Sequence, residues 1–300
     1  MTEDATSARC SVLARALDEP LAGTAPFAPR WVCVEHRGAW PRDVAAHPDP
    51  SIAGFAARCS AAGWRPVLIR RPGRRDPCGS NRIYLTDTTP GASRTTRLTV
   101  EGPRELSRVP LPSAGAPLPG TEVADPLLLV CTHGRRDRCC ALDGRALAVA
   151  VAAVGETDVW ESSHLGGHRF APTALVLPIG YLYGRLDAAS AIAAHKSAGV
   201  GEVEPASSRG RSTFSAAGQV AELAVRRHTG LRDADALTVD PAARSGAVVV
   251  VGRDGRRWTV DVTEHEGPAP RPASCGMAAL PYTALRAGAV CPLPLWGARP

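Results

Sequence analysis

The sequence is poor in lysine and in aromatic residues. Lys196 is the only lysine among 35 basic residues, so the formal net charge of +6 comes almost wholly from arginine. Aromatic residues make up 5% of the chain, and they do not alternate with the arginines as they do in proteins that bind single-stranded nucleic acid. The composition therefore argues against a nucleic-acid partner, whereas a basic surface suits an acidic redox partner.

Long hydrophobic runs are also missing. No apolar run approaches the ~18 residues that a membrane span needs, and the N-terminus lacks a basic segment followed by an apolar one. The nine cysteines are odd in number and irregularly spaced, which favours reduced thiols and metal ligation over disulfides. We therefore expect a cytoplasmic protein without membrane contact.

The pattern of strands and helices predicts an α/β protein with more than one domain. A proline-rich stretch at residues 103–124 is predicted to link an N-terminal α/β domain, residues 1–102, to a second α/β domain, residues 125–230. Residues 231–300 are predicted to form a small C-terminal β extension with a hairpin turn at Asp254-Gly255. In the second domain, Asp143 is predicted to cap a helix that ends at Gly155.

Two pairs of metal-ligating residues stand in the second domain. Cys131, at the end of the apolar strand LLLVC, and Cys140 have C-x8-C spacing. His164 and His168, at H-x3-H spacing, lie on either side of Leu-Gly-Gly. Two thiolates and two imidazoles make a four-ligand set for a soft or borderline metal ion, so we expect these four side chains to meet.

The glycines between the two histidines predict the local conformation. Gly166 and Gly167 would each cost about 1 kcal/mol relative to alanine within a helix. Adjacent glycines instead permit a tight loop that brings the flanking side chains to one side and lets the backbone approach another group. The sequence therefore predicts a ligand loop between two strands.

The segments CTHGRRDRCC and HLGGHRFAPTALVLPIGYLYGRLD resemble the sucrase/ferredoxin-like family, a branch of the thioredoxin-like [2Fe-2S] ferredoxins. The resemblance is strong over residues 127–187 and weaker at RCSVLARALDEPLAGTA, PVLIRRPGRR and RPASCG. It implies a thioredoxin-like ferredoxin domain and an electron-transfer protein that works with a redox partner. The [2Fe-2S] cluster that it implies would be held by Cys131, Cys140, His164 and His168.

Neutral imidazoles in place of two thiolates would raise the reduction potential of such a cluster, as in Rieske centres. The second ring nitrogen of each histidine could bind a proton, which predicts proton-coupled reduction. The N-terminal domain repeats the order of strand, helix and strands, with HRGAWPRD where the second domain has THGRRDRC. This order suggests a divergent thioredoxin-like copy that has lost the metal site.

Several assignments stay open from the sequence alone. Cys139 is adjacent to Cys140, so the second thiolate ligand is ambiguous by one residue, although the spacing favours Cys140. Cys10 is interpreted as a core residue or as one that faces a partner, and Cys275 as a turn residue or as a contact of the cluster region. The segment between Cys131 and Cys140 also carries residues that would donate to the sulfurs, dock an acidic electron donor or simply meet solvent: His133, Arg135, Arg136 and Arg138.

Two other classes of function remain as alternatives. One is a structural Cys2His2 zinc module, although the cysteine spacing is longer than in the usual zinc knuckle. The other is an enzyme. A thiol oxidoreductase would use C-x-x-C, for which the Cys139-Cys140 pair is a poor substitute. A sucrose hydrolase would need two facing carboxylates, and the candidates are scattered: Asp158, Glu161 and Asp187.

Overall fold

The computed structural model describes residues 9–73 and 81–294. The helices in these ranges are α1 (Cys10–Ala16), α2 (Pro50–Ala61), α3 (Arg145–Val154), α4 (Ala188–Gly199) and α5 (Ala216–Thr229). The strands are β1 (Arg30–Glu35), β2 (Arg65–Arg70), β3 (Asn81–Asp87), β4 (Arg94–Val100), β5 (Thr121–Glu122), β6 (Leu127–Cys131), β7 (Val159–Ser162), β8 (Ala174–Leu177), β9 (Tyr181–Tyr183), β10 (Ser208–Arg211), β11 (Leu237–Val239), β12 (Gly246–Gly252), β13 (Arg257–Glu266), β14 (Arg271–Pro272), β15 (Ala279–Leu280) and β16 (Thr283–Leu293).

A ten-stranded mixed sheet with the order β10-β9-β8-β6-β7-β2-β1-β3-β4-β5 forms the centre of this α/β protein. In one half, β1 is parallel to β2 and antiparallel to β3, which pairs with β4. In the other half, β6 is parallel to β7 and antiparallel to β8, which pairs with β9. The halves join through the antiparallel pair β2–β7. The two halves thus have the same pattern of strand pairing, and one sheet spans both.

Strand β6 carries the first candidate ligand, and all five of its residues are buried. Leu128 and Val130 belong to the core beneath α3 and α4, whereas Leu129 and Cys131 belong to the core on the opposite face. A strand that is covered on both faces has no solvent side, which explains its uninterrupted apolar sequence. The alternation of side chains places Cys131 on the face that also contains Trp31 and Trp160.

The helix after β6 begins earlier than the sequence predicts. A π-helical turn at Cys140–Gly144 leads directly into α3, so Asp143 lies inside the helical stretch and not at its cap. Asp143 instead binds Arg9 and the hydroxyl of Ser11, both from the start of the chain. The predicted end at Gly155 is confirmed, with that residue in the left-handed conformation.

The C-terminal region forms a four-stranded antiparallel sheet, β11-β12-β13-β16, that packs on α5. The hairpin predicted at Asp254-Gly255 lies between β12 and β13. Strand β14 lies against α1, and its Arg271 donates to the carboxylate of Glu19, which follows α1, at 2.6 and 2.8 Å. None of the helices within the described residues has the length and apolarity required to cross a membrane.

Candidate metal centre

Three of the four predicted ligands meet at one end of the central sheet. Cys131 ends β6, Cys140 opens the next helix, and His164 follows β7. Because β6 and β7 are parallel neighbours, their carboxyl ends lie side by side and bring these segments together. The ligand atoms of the three residues lie within 4.8 Å of one another. Both thiols are buried and His164 is half-buried, so the group sits at the edge of the core.

The fourth predicted ligand, His168, lies next to this group. Its ring centroid is 5.3 Å from that of His164. Its Nε2 is 2.8 Å from the carbonyl oxygen of Ala273 and 3.6 Å from Asp137 Oδ2. A carbonyl oxygen only accepts, so Nε2 carries the hydrogen in this bond, and a neutral ring then has a free lone pair on Nδ1.

The Nδ1 atoms of both histidines bear on whether the site fits a metal group. Nδ1 of His164 and Nδ1 of His168 are buried and have no hydrogen-bond partner among the described residues. Buried polar atoms are nearly always satisfied, so two such nitrogens beside two thiols need an explanation. A ligating histidine commonly donates its other ring N–H to a carbonyl, as His168 does. The four side chains therefore fit a mixed sulfur and nitrogen ligand set.

The pKa values of the two thiols are shifted in opposite directions. The pKa of Cys131 is lowered, chiefly because its sulfur accepts a hydrogen bond from Cys140, and also because His164 and the backbone N–H of His133 interact with it. The pKa of Cys140 is raised by the same interaction and by burial. Cys131 is thus the first of the pair to become the thiolate, the form that binds metal.

Two arginines that the sequence did not indicate face this pair, Arg209, which is fully buried, and Arg65, which is half-buried. Arg209, on β10, is fully buried and donates to the Gly166 carbonyl at 2.9 Å and to Thr24 Oγ1 at 3.0 Å. Burial lowers the pKa of Arg209 to about 9, and the charge of Cys131 acts in the opposite direction. Burial also lowers the pKa of Arg65, again opposed by Cys131. Positive charge therefore lies close to the thiolates, where it offsets their negative charge.

The ligand loop has the predicted tight conformation. Gly166 and Gly167 have φ values of 92° and 72°, in the region that favours glycine. A Cβ on Gly167 would overlap the guanidinium group of Arg209. The glycine thus serves two purposes, since it permits the turn between His164 and His168 and leaves room for the buried arginine.

Cys139 and Cys140 belong to different groups of side chains. Cys140 lies with Cys131, whereas Cys139 lies in a second group with Cys10, Cys275 and the carboxylate of Asp137. In this second group the Cys139 sulfur is 3.6 Å from that of Cys10 and 3.4 Å from that of Cys275. The geometry therefore favours Cys140 as the partner of Cys131, in agreement with the spacing.

The electrostatics of the second group are also distinctive. A hydrogen bond from the Cys10 thiol lowers the pKa of Cys139 to about 6, although burial acts against this. Burial alone would raise the pKa of Asp137. Hydrogen bonds from the Cys275 N–H, the Ser274 hydroxyl and the Cys139 N–H outweigh burial and lower the pKa of Asp137 to about 2. The group therefore carries negative charge near neutral pH.

Comparison with known proteins decides the family. A family model described as Sucrase/ferredoxin-like matches residues 21–194, more than half of the chain. The chain belongs to the sucrase/ferredoxin-like family. The resemblance found in the sequence is thereby confirmed, and the matched range of the family includes both predicted ligand pairs while leaving out Cys10 and Cys275. No curated protein and no solved structure matches the chain.

The surroundings of the candidate centre form a basic cleft. The cleft has a volume of about 260 Å³, and its lining includes His164, His133, Arg42, Arg65 and Arg136. The His133 ring is buried edge-on against Trp40, at 6.0 Å between centroids, and burial lowers the pKa of His133. Two further arginines between Cys131 and Cys140 are exposed on the surface, Arg135 and Arg138.

The carboxylates considered for glycoside hydrolysis, the chemistry suggested by the first half of the family name, each have a structural partner. Glu161 accepts a hydrogen bond from Arg70 at 2.7 Å, and Asp158 binds Arg71. Asp187 caps α4 as the N-cap residue of a capping box. These contacts account for the three carboxylates without a catalytic role.

Proposed function

We propose that this protein transfers electrons and holds a [2Fe-2S] cluster through Cys131, Cys140, His164 and His168, within a thioredoxin-like domain. The observation that carries the proposal is the convergence of two buried thiols and His164 within 4.8 Å. The unpartnered Nδ1 atoms of both histidines and membership of a ferredoxin-like family support it. When bound, such a cluster accepts and releases one electron at a time.

The protein's own residues would orient the ligands and balance their charge. The Ala273 carbonyl fixes the ring of His168 with its proton on Nε2, so that Nδ1 is the free nitrogen. The N–H of His133 donates to Cys131. Both rings are half-buried, but of the two only His164 lines the cleft. Coupled proton uptake is therefore proposed at His164 in preference to His168.

The cleft beside His164 also supports a choice of redox partner. Arg42, Arg65 and Arg136 line it, and Asp43 is the carboxylate among the lining residues. Exposed charges of one sign around a redox site steer partners of the opposite sign. We therefore propose that the electron donor or acceptor presents an acidic surface to this cleft.

The buried charge of Arg209 leads to a prediction about the reduction potential. In Arg209→Met the oxidised cluster should become relatively more stable, because reduction adds negative charge that the guanidinium no longer offsets. At an effective dielectric constant near 20 the lost interaction corresponds to roughly 50–150 mV, so the potential should fall by that order. A potentiometric titration followed by visible absorbance measures the shift.

Arg211→Met is the matched control for this variant. Arg211 lies on the same strand and is also fully buried, but its charge is paired with Asp235 at 3.0 Å. Its removal should therefore change the potential much less. An unchanged or higher potential in folded, cluster-containing Arg209→Met would contradict the assigned role.

The function itself is tested by anaerobic purification of the full chain, with iron and sulfide analysis and a visible spectrum. We expect two iron atoms and two sulfides per chain, and a colour that fades with dithionite and returns in air. A colourless protein that holds zinc at Cys131 and Cys140 would reject electron transfer and favour a structural zinc module.

A further inference from the structure

The thiol group formed by Cys10, Cys139 and Cys275 adjoins the proposed ligands of the cluster but shares no residue with them. Cys10 begins α1, Cys139 lies in the first turn of the helix after β6, and Cys275 follows β14. Two of the three residues lie outside the range that matches the family. Cys10 and Cys139 are completely buried and Cys275 is partly exposed, so the group has one open side.

The sulfur positions match a metal site more closely than a disulfide. The three Sγ–Sγ distances are 3.6, 3.4 and 3.7 Å, a nearly equilateral triangle. With Zn–S bonds of about 2.3 Å, a tetrahedral zinc site has S–S edges of about 3.8 Å. A disulfide would need two of the sulfurs to approach to about 2.05 Å. The triangle is thus close to the spacing of three thiolate ligands on one ion.

Asp137 provides a fourth ligand atom. Its Oδ1 accepts a hydrogen bond from the Cys139 N–H at 2.8 Å and is also within reach of the Cys10 thiol, at 3.7 Å. Its Oδ2 accepts two, from the Ser274 hydroxyl at 2.7 Å and the Cys275 N–H at 2.9 Å. A carboxylate oxygen has two lone pairs, so once Cys10 is a thiolate and no longer donates, Oδ1 has one that is free for a metal ion.

We propose that Cys10, Cys139, Cys275 and Asp137 form a structural zinc site. Three thiolates and one carboxylate suit a tetrahedral Zn²⁺ ion, and a closed four-ligand set is typical of structural sites. The three cysteines are separated by 129, 136 and 265 residues along the chain, so the ion would hold α1 and the segment after β14 against the start of the helix that carries Cys140. The Cys10 N–H, 3.5 Å from the Cys275 sulfur, adds a donor to one thiolate.

The test is zinc analysis of the full chain by inductively coupled plasma mass spectrometry, together with zinc-edge X-ray absorption. We expect one zinc per chain in the parent, with three sulfur neighbours at about 2.3 Å and one oxygen. Cys10→Ser and Cys275→Ser should each lose most of this zinc. Cys59→Ser is the matched control, because Cys59 is a buried helical thiol outside both groups, and it should keep the zinc.

Several outcomes would overturn the site. A parent without zinc would do so, as would a disulfide among the three cysteines, seen as a 2 Da mass loss under non-reducing conditions. So would a zinc shell of two sulfurs with imidazole nitrogens, which would place the ion at Cys131 and Cys140. The absorption spectrum is taken on the parent, so it decides the matter even if the serine variants fail to fold. Iron and sulfide content, measured on the same samples, separates this result from the fate of the proposed cluster.

Discussion

Replacing Cys140 with alanine is expected to remove the visible absorbance of the purified protein, whereas replacing Cys139 should leave most of it. Cys140 lies within 4.8 Å of the ligand atoms of Cys131 and His164, and Cys139 belongs to the other thiol group. Loss of a ligand should lower cluster content at least ~10-fold, since even the loss of a supporting contact weakens metal binding by 10–100-fold. Absorbance and iron content per chain provide the measurement.

Cys59→Ala serves as the control for removal of a buried thiol. Cys59 lies in α2, the helix between β1 and β2, and so belongs to the other half of the protein. It should retain the absorbance of the parent. The opposite pattern, with iron lost from Cys139→Ala and kept in Cys140→Ala, would move the second thiolate ligand by one residue. Cys139→Ala should instead lose zinc, which distinguishes the two groups in a single set of samples.

The second large effect is expected at Gly167. Gly167→Ala should cost about 1–2 kcal/mol for the left-handed backbone and roughly a further 1–3 kcal/mol for the overlap with Arg209. Gly230 is the matched control, because it has the same φ of 72° but no atom within 4 Å of an added Cβ. Gly230→Ala should therefore show the backbone cost alone.

Urea unfolding of both variants measures this difference as the change in the free energy of unfolding. Gly167→Ala should also bind less iron, because Arg209 donates to the Gly166 carbonyl in the loop between His164 and His168. Equal losses of stability in the two variants would show that the buried arginine can move aside, and the close approach would then have no structural consequence.

The local features of the site could be predicted because short-range physics determines them. The all-buried β6 follows from its uninterrupted apolar run. The tight loop follows from Gly166 and Gly167, which disfavour a helix. Asp187 as the cap of α4 and Gly155 as the end of α3 follow from the same preferences for caps.

The sequence could not show that Cys139 and Cys140 belong to different groups of side chains. The position at which the helix begins explains why. The sequence indicates a cap at Asp143, which leaves both cysteines in an irregular loop. In the structure Cys139 already has helical angles, φ −64° and ψ −40°, and Cys140 begins the helical turn. Consecutive residues of a helix point about 100° apart, so the two thiols face different neighbours.

Residues that reach the two thiol groups from distant parts of the chain could not be recognised from the sequence. Cys10 and Cys275 are 265 residues apart and meet only because the segment after β14 packs against α1. Arg209 stands in the strand sequence SRGR, where a basic residue would ordinarily indicate a solvent-facing position, yet it is fully buried. Only the folded chain brings this charge next to the thiols.

The most direct test of the central proposal is electron paramagnetic resonance of the dithionite-reduced full chain, with ¹⁵N-labelled histidine and pulsed detection. The proposal predicts a low-average-g, Rieske-like signal with coupling to two histidine nitrogens, one of which is lost in His164→Ala and the other in His168→Ala. A reduced cluster without histidine coupling, or a signal unchanged in both variants, would contradict ligation by two cysteines and two histidines.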